Sequence, residues 1–237
     1  MKNQYYGDVN DYRKYGILRC LARDPRFVVG VCWMLTPDDG RTDGRFISYA
    51  SDPKTWRPYD PPLFDSLSAA LVSGRKREVG LATKAGIIPG ALFFEQLLAD
   101  DRAGREAFFS EMLRVLAPAS LIFFDPDNGM EVSSKRHGTR GSSKYLYWTE
   151  LTLAFSKGHS VLVYQHFPRQ GRSAFTQRML VALDEHLGGA EVYALRTSYV
   201  VYVLAAHAKH VPSIQAGLRT ISQECPSQIE LVPHLAA

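Results

Sequence analysis

The sequence predicts a single α/β domain built on a mixed, mostly parallel sheet with helices on both faces. Short apolar runs alternate with segments of helical periodicity through the second half of the chain. The runs are almost continuously apolar instead of alternating, as strands buried on both faces are. Two of them, 191–196 and 199–206, are separated only by Thr197-Ser198. Parallel neighbours need a long crossover, so this pair must be antiparallel and the sheet mixed.

Each element has its own signal. A first helix spans about Asp8 to Arg23, with Val9, Tyr12, Ile17 and Leu21 as its apolar stripe and Asp24-Pro25 as its stop. Residues 27–35 read as a doubly buried strand and 36–44 as a polar loop. Residues 48–62, rich in Pro, Asp and Tyr, read as irregular, followed by a short helix near 63–72 and the basic triplet Arg75-Lys76-Arg77. The pattern from 78 to 99 is ambiguous. A short strand and a turn at Pro89-Gly90 fit it best, with helix around Phe93 to Leu98 as the alternative.

The remainder is more regular. Helix 104–116 sets Phe109, Met112, Leu113 and Leu116 on one face and stops at Pro118. Strand 120–125 and a polar loop lead to helix 143–157, with Tyr147, Leu151, Ala154 and Phe155 inward and Gly158 as its cap. Strand 160–165, helix 173–187, the Gly188-Gly189 break and the hairpin follow. Helix 212–224 turns Ile214, Leu218 and Ile221 inward, and a short strand ends the chain.

At 237 residues the chain can bury a large core without disulfide or metal staples. Cys20, Cys32 and Cys225, odd in number and far apart, suit reduced buried thiols. No apolar run is long enough to cross a bilayer, and no leader-like segment opens the chain, so a cytoplasmic protein is expected. The net charge of +4 permits a nucleic-acid partner without requiring one.

In open α/β sheets, ligands bind beyond the carboxyl ends of the strands. Three polar loops begin there and should share one rim. The sharpest is Asp125-Pro126-Asp127-Asn128-Gly129, a carboxylate at the end of a buried strand followed by a stiff turn. Asp38, Asp39, Gly40 and Asp43 form an acidic loop suited to a ribose hydroxyl or a cation. Gln165, His166 and Arg169 end the third strand, and a histidine there can exchange protons near neutrality. Lys135, Arg136, His137, Arg140 and Lys144, among glycines and serines, can grip phosphates. The segment 1–24 is expected to pack on or over this rim, with Tyr6 among the tyrosines that could stack a base.

With the elements placed in this order, the chain resembles class I S-adenosylmethionine-dependent methyltransferases. Phe123-Phe124-Asp125-Pro126-Asp127-Asn128 stands where the adenine-N6 enzymes carry Asp/Asn-Pro-Pro-Tyr/Phe, and residues 191–206 stand where they close with an antiparallel hairpin. Tyr6-Gly7-Asp8-Val9, followed by a basic helix and a strand, looks like the entry of an rRNA adenine-N6 methyltransferase group. Asp127 and Asn128 replace the second proline and the aromatic residue, and Pro37-Asp38-Asp39-Gly40 stands in place of the Gly-x-Gly cofactor loop. The resemblance implies a Rossmann-like fold and transfer from S-adenosylmethionine, with Asp125 and Asn128 at the exocyclic amine of a base.

Three functions are therefore expected to compete. In a methyltransferase-like enzyme, Asp125, Asp127, Asn128 and His166 are catalytic, and Asp38, Asp39, Gly40 and Asp43 meet the cofactor. Tyr6, Lys135, Arg136, Arg140 and Arg169 meet the nucleic acid. In a Mg²⁺-dependent nuclease or phosphodiesterase, Asp125, Asp127 and Glu131, with Asp38 or Asp39, hold the metal, Lys135 meets developing charge and His166 activates water. The third is a non-catalytic binding protein on the same fold.

Overall fold

Seven strands pair into one sheet: β1 (Val29–Cys32), β2 (Leu92–Phe94), β3 (Leu121–Phe124), β4 (Ser160–His166), β5 (Glu191–Arg196), β6 (Val200–Ala206) and β7 (Glu230–Val232). They lie in the order β2-β1-β3-β4-β6-β5-β7 in a computed structural model that describes residues 1–38, 44, 46–74, 76–225 and 227–233. The first four strands in that order are mutually parallel, and β6 inserts antiparallel between β4 and β5. β7 adds antiparallel to β5 at the far edge. The fold is thus α/β and Rossmann-like, with the carboxyl ends of β1, β2, β3 and β4 on one edge.

The pleat sends successive side chains to opposite faces, and each face is covered. Leu121 and Phe123 pack with α1 (Val9–Leu21), α3 (Pro61–Val72) and α8 (Val211–Glu224), through Ile17, Leu18, Leu67 and Ile214. Ile122 and Phe124 face α5 (Arg102–Val115), α6 (Trp148–Ser156) and α7 (Arg172–Leu187), through Met112, Leu151 and Leu180. Cys20, Cys32 and Cys225 are buried free thiols. Among the described residues no helix is long and apolar enough to cross a membrane.

Local chemistry departs from the sequence expectation in four places. Residues 48–62 hold short helical turns, including α2 (Pro53–Trp56), instead of irregular chain. Asp52 accepts from Thr55 N to start α2, and Asp60 accepts from Leu63 N to start α3, so the acidic residues are caps. Between 78 and 99 the expected short strand forms, Leu92–Phe94 pairing in parallel with Gly30–Cys32, and the alternative helix at 93–98 does not. The departure is the short α4 (Gly80–Lys84) before it, and Phe94 sets its ring edge-on to Phe108 at 4.9 Å. β1 ends at Cys32 because Met34 takes a left-handed conformation with φ of 45°, a rare state for a residue with a side chain.

The fourth departure is at α6, which begins at Trp148 and not at 143. Glu150 accepts from Tyr147 N at 3.0 Å and makes a bidentate pair with the fully buried Arg105 at 2.7 and 2.8 Å. That pair sets the helix start and ties α6 to α5. His137 joins Glu150 at 3.1 Å and anchors the basic loop to the same carboxylate.

Candidate active site

Asp125 follows the last residue of β3, and its main chain is still in the ladder, with N donating to Cys32 O at 3.1 Å. Its side chain therefore points from the sheet edge toward the first turns of α1. There it meets Lys14, whose Nζ donates to Asp125 Oδ2 and to Asp11 Oδ1, each at 2.7 Å. Asp11, Lys14 and Asp125 are 1%, 3% and 2% exposed, so the triad is withdrawn from water. The ammonium also lies 5.1 Å from the Tyr164 ring and 5.6 Å from the Trp33 ring, both favourable cation–π distances.

Two carboxylates around one ammonium leave excess negative charge, which hydrogen bonds must meet at this depth. Asp11 Oδ2 accepts from Gly7 N at 3.0 Å and from Tyr15 Oη at 3.3 Å. Asp8 caps α1, its Oδ1 accepting from Asn10 N and Asp11 N, both at 2.9 Å. Burial lowers the Lys14 pKa, but the Asp11 and Asp125 carboxylates raise it by more, so the side chain is a cation at neutral pH. Burial lifts Asp11 above the ordinary carboxylate range despite Lys14. Burial, then the charge on Asp11, pushes Asp8 up to about 6.

The loop after Asp125 is held from β4. Gln165 Oε1 accepts from Met130 N at 2.7 Å, and its Nε2 donates to His166 O at 2.8 Å. Gly129 makes this possible: its φ is +91°, and a Cβ there would sit 2.3 Å from Gln165 Oε1. Asp127 pairs with Lys2 Nζ at 3.1 Å. His166, an exposed residue, stands edge-on to Tyr164 at 5.0 Å. Its surroundings lower its pKa, the loss of solvation outweighing the pull of Asp125 and Asp127, so the imidazole is neutral at pH 7.

These groups enclose a cavity of about 230 Å³ whose polar walls are Asp8, Asn10, Asp11, Lys14, Asp125 and Asp127. Tyr5, Phe46, Tyr164 and His166 supply aromatic walls, Phe46 being 70% exposed. A second, wider groove of about 590 Å³ shares Tyr5, Asp127 and His166 with it, and continues over Asn128, Lys144, Tyr145, Phe167, Phe175 and Met179.

Asp125, Asp127 and His166 thus meet in one cavity, while Asn128 is exposed and lines the neighbouring groove. Tyr6 lies in the core and Tyr5, one residue earlier, faces both spaces. Lys135 donates to Arg140 O at 2.9 Å, and Arg136, Arg140 and Arg169 are exposed outside the cavity walls. Asp38 is exposed and is not a wall of either space; Asp39, Gly40 and Asp43 lie outside the described residues. The alternative metal set diverges: Asp125 turns to Lys14, Asp127 to Lys2, and Glu131 to Trp148 N at 2.9 Å. Among the described residues no group of three or more His, Cys, Asp or Glu side chains is placed to hold a metal ion.

Gln165 enters the sequence expectation only as a polar strand-end residue, and Asp8, Asp11 and Lys14 are absent from it as site residues. A signal existed for two of them. Asp11, Tyr15 and Leu18, and likewise Lys14, Leu18 and Leu21, fall at i, i+4, i+7, so both charges lie in register with the apolar face of the helix. No family model matches the chain, and no curated protein is significantly similar to it.

Proposed function

We propose that the chain is a methyltransferase-like enzyme acting on an amino nitrogen of a nucleic-acid base, with S-adenosylmethionine as methyl donor. The observation that carries this reading is the acceptor-rich cavity at the carboxyl ends of β3 and β4. Four carboxylates outnumber the Lys14 ammonium and the Lys2 ammonium that pairs Asp127. Burial weakens the basicity of the Met1 amino group beside them, so the cavity disfavours a phosphate and favours hydrogen-bond donors and cations. An amino group is such a donor and a sulfonium such a cation. Lys14 holds Asp125 by Oδ2, which leaves Oδ1 to accept from a substrate amine. Transfer to nitrogen needs its lone pair held in line with the methyl group, and a carboxylate fixed from behind can supply that aim.

In this reading Asn128 and Asp127 meet the substrate where groove and cavity join, and the loop carrying Asp38, Asp39, Gly40 and Asp43 meets the cofactor. Exposed Arg136, Arg140 and Arg169 contact phosphates. The metal reading gains no comparable support from carboxylates that turn to three separate partners.

Calorimetry with S-adenosylmethionine, followed by transfer of labelled methyl to DNA and RNA, tests the reading. Binding is expected, and Asp125→Ala is expected to abolish transfer while cofactor binding persists. No heat at millimolar cofactor would overturn it. Mg²⁺-dependent cleavage lost in the same variant would favour a phosphodiesterase. Salt-dependent nucleic-acid binding with neither activity would leave a binding protein.

A further inference from the structure

We propose that Asp8 is the proton acceptor of this site, taking the proton that the substrate nitrogen must lose. The inference rests on the methyl-transfer reading. In that step the nitrogen lone pair forms a bond to the methyl carbon as the carbon–sulfur bond of the sulfonium donor breaks, its electron pair going to sulfur. The nitrogen is left cationic with one hydrogen too many. That proton passes to a carboxylate oxygen of Asp8, and the N–H pair returns to nitrogen.

The geometry singles out Asp8 among the carboxylates of the cavity. Asp11 and Asp125 already share the Lys14 ammonium, and Asp127 is paired with Lys2. Asp8 is 5% exposed, lines the cavity, and meets no cation directly among the described residues. Its Oδ1 is taken by two backbone amides at the start of α1. Among the described residues nothing hydrogen-bonds its Oδ2, and the neighbouring Asn10 Oδ1 is buried in the same wall without a partner. Asn10 Oδ1, a buried acceptor left unmatched, costs free energy unless a donor completes it, and Asp8 Oδ2 beside it is free to accept from a donor that arrives from the cavity.

The charges around Asp8 give its carboxylate the right basicity. Asp11, Arg13 and Lys14 act on it from α1, and Arg77 from the chain before α4. Asp125 and Asp127 from the β3 loop and His166 from β4 share the cavity with it, and the Tyr49 and Tyr164 phenols also feel its charge. Burial and Asp11 prevail over the two backbone amides and Lys14, and hold the group at about 6. A base poised close to the working pH is what general-base catalysis requires.

Asp8→Asn tests the assignment, because asparagine caps a helix as well as aspartate does but cannot take the proton. The readout is single-turnover methyl transfer from S-adenosylmethionine to single-stranded DNA or RNA across pH. The wild-type rate is expected to fall below about pH 6 with the titration of one group. Asp8→Asn is expected to lose that limb and to run about 10²- to 10⁴-fold slower at neutral pH. The variant should still bind cofactor and should unfold no more easily than wild type, and Asp8→Ser, a second capping residue, should show the same loss. Wild-type rate and pH profile in both variants would overturn the role of Asp8 alone. Wild-type protein that transfers no methyl would overturn the functional reading, and the proton step with it.

Discussion

Replacing Lys14 by methionine would leave the Asp11 and Asp125 carboxylates buried side by side with no cation between them. Removing one partner of a buried ion pair typically costs about 3–5 kcal/mol, because the charge left behind is uncompensated. Lys14→Met should therefore lower unfolding stability at pH 7 by roughly that amount in urea titration. Part of the loss should return in mild acid, where one carboxyl takes up a proton. Asp8 makes a separate pH prediction. Its carboxyl moves from an ordinary value of 3.8 to about 6 on folding, so the native state binds the extra proton between those limits. Its stabilising contribution is present below the lower limit and is lost as pH rises through the upper one. Asp8→Asn should accordingly gain stability relative to wild type between roughly pH 4 and pH 7, and a flat difference in urea midpoints would show that Asp8 is not shifted. The importance of Asp125 was legible in the sequence because strand-end position alone marks it. Lys14 and Asp11 were hidden because helical periodicity places a residue on the buried face without saying what it meets there.

Elements were legible where their own pattern decided them, and misread where a neighbour did. The hairpin of β5 and β6 and the helices α5, α7 and α8 follow from spacing and stop signals that act within a few residues. The pattern from 78 to 99 favoured a short strand but left helix open at Phe93 to Leu98, and the strand forms at Leu92–Phe94 because β1 offers it a parallel partner. The start of α6 at Trp148 is set by Arg105, which holds Glu150 from another helix. No window on residues 143–157 contains that arginine. The Asp125–Gly129 turn shows the same dependence, since Gly129 is required by its positive φ and by the Gln165 side chain reaching over from β4. Gly129→Ala should push Gln165 off Met130 N and force a strained backbone, at a cost of about 1–3 kcal/mol. Thermal unfolding checks the cost, and an unchanged melting temperature would show that the turn does not depend on the Gln165 contact.

At the scale of the whole molecule, the fold separates two kinds of charge. The acidic cavity lies at the end of the parallel strands, whereas Arg136, Arg140 and Arg169 stand exposed on the loops after β3 and β4. A nucleic acid bound across these loops would have its phosphates drawn to the arginines and kept out of the carboxylate wall, so only a neutral or cationic group could enter. Phosphate contacts release counterions, and each one adds about 0.7 to the magnitude of the slope of log affinity against log salt for a single strand. Replacing all three arginines by alanine should thus reduce that magnitude by about 2, read by fluorescence anisotropy with single-stranded DNA or RNA between about 50 and 200 mM salt. In the proposed reading Asp125 meets the base and not the backbone, so Asp125→Ala should leave the slope as it is. A triple variant with the wild-type slope would mean that these arginines touch no phosphate, and would move the nucleic-acid path off the loops that flank the cavity.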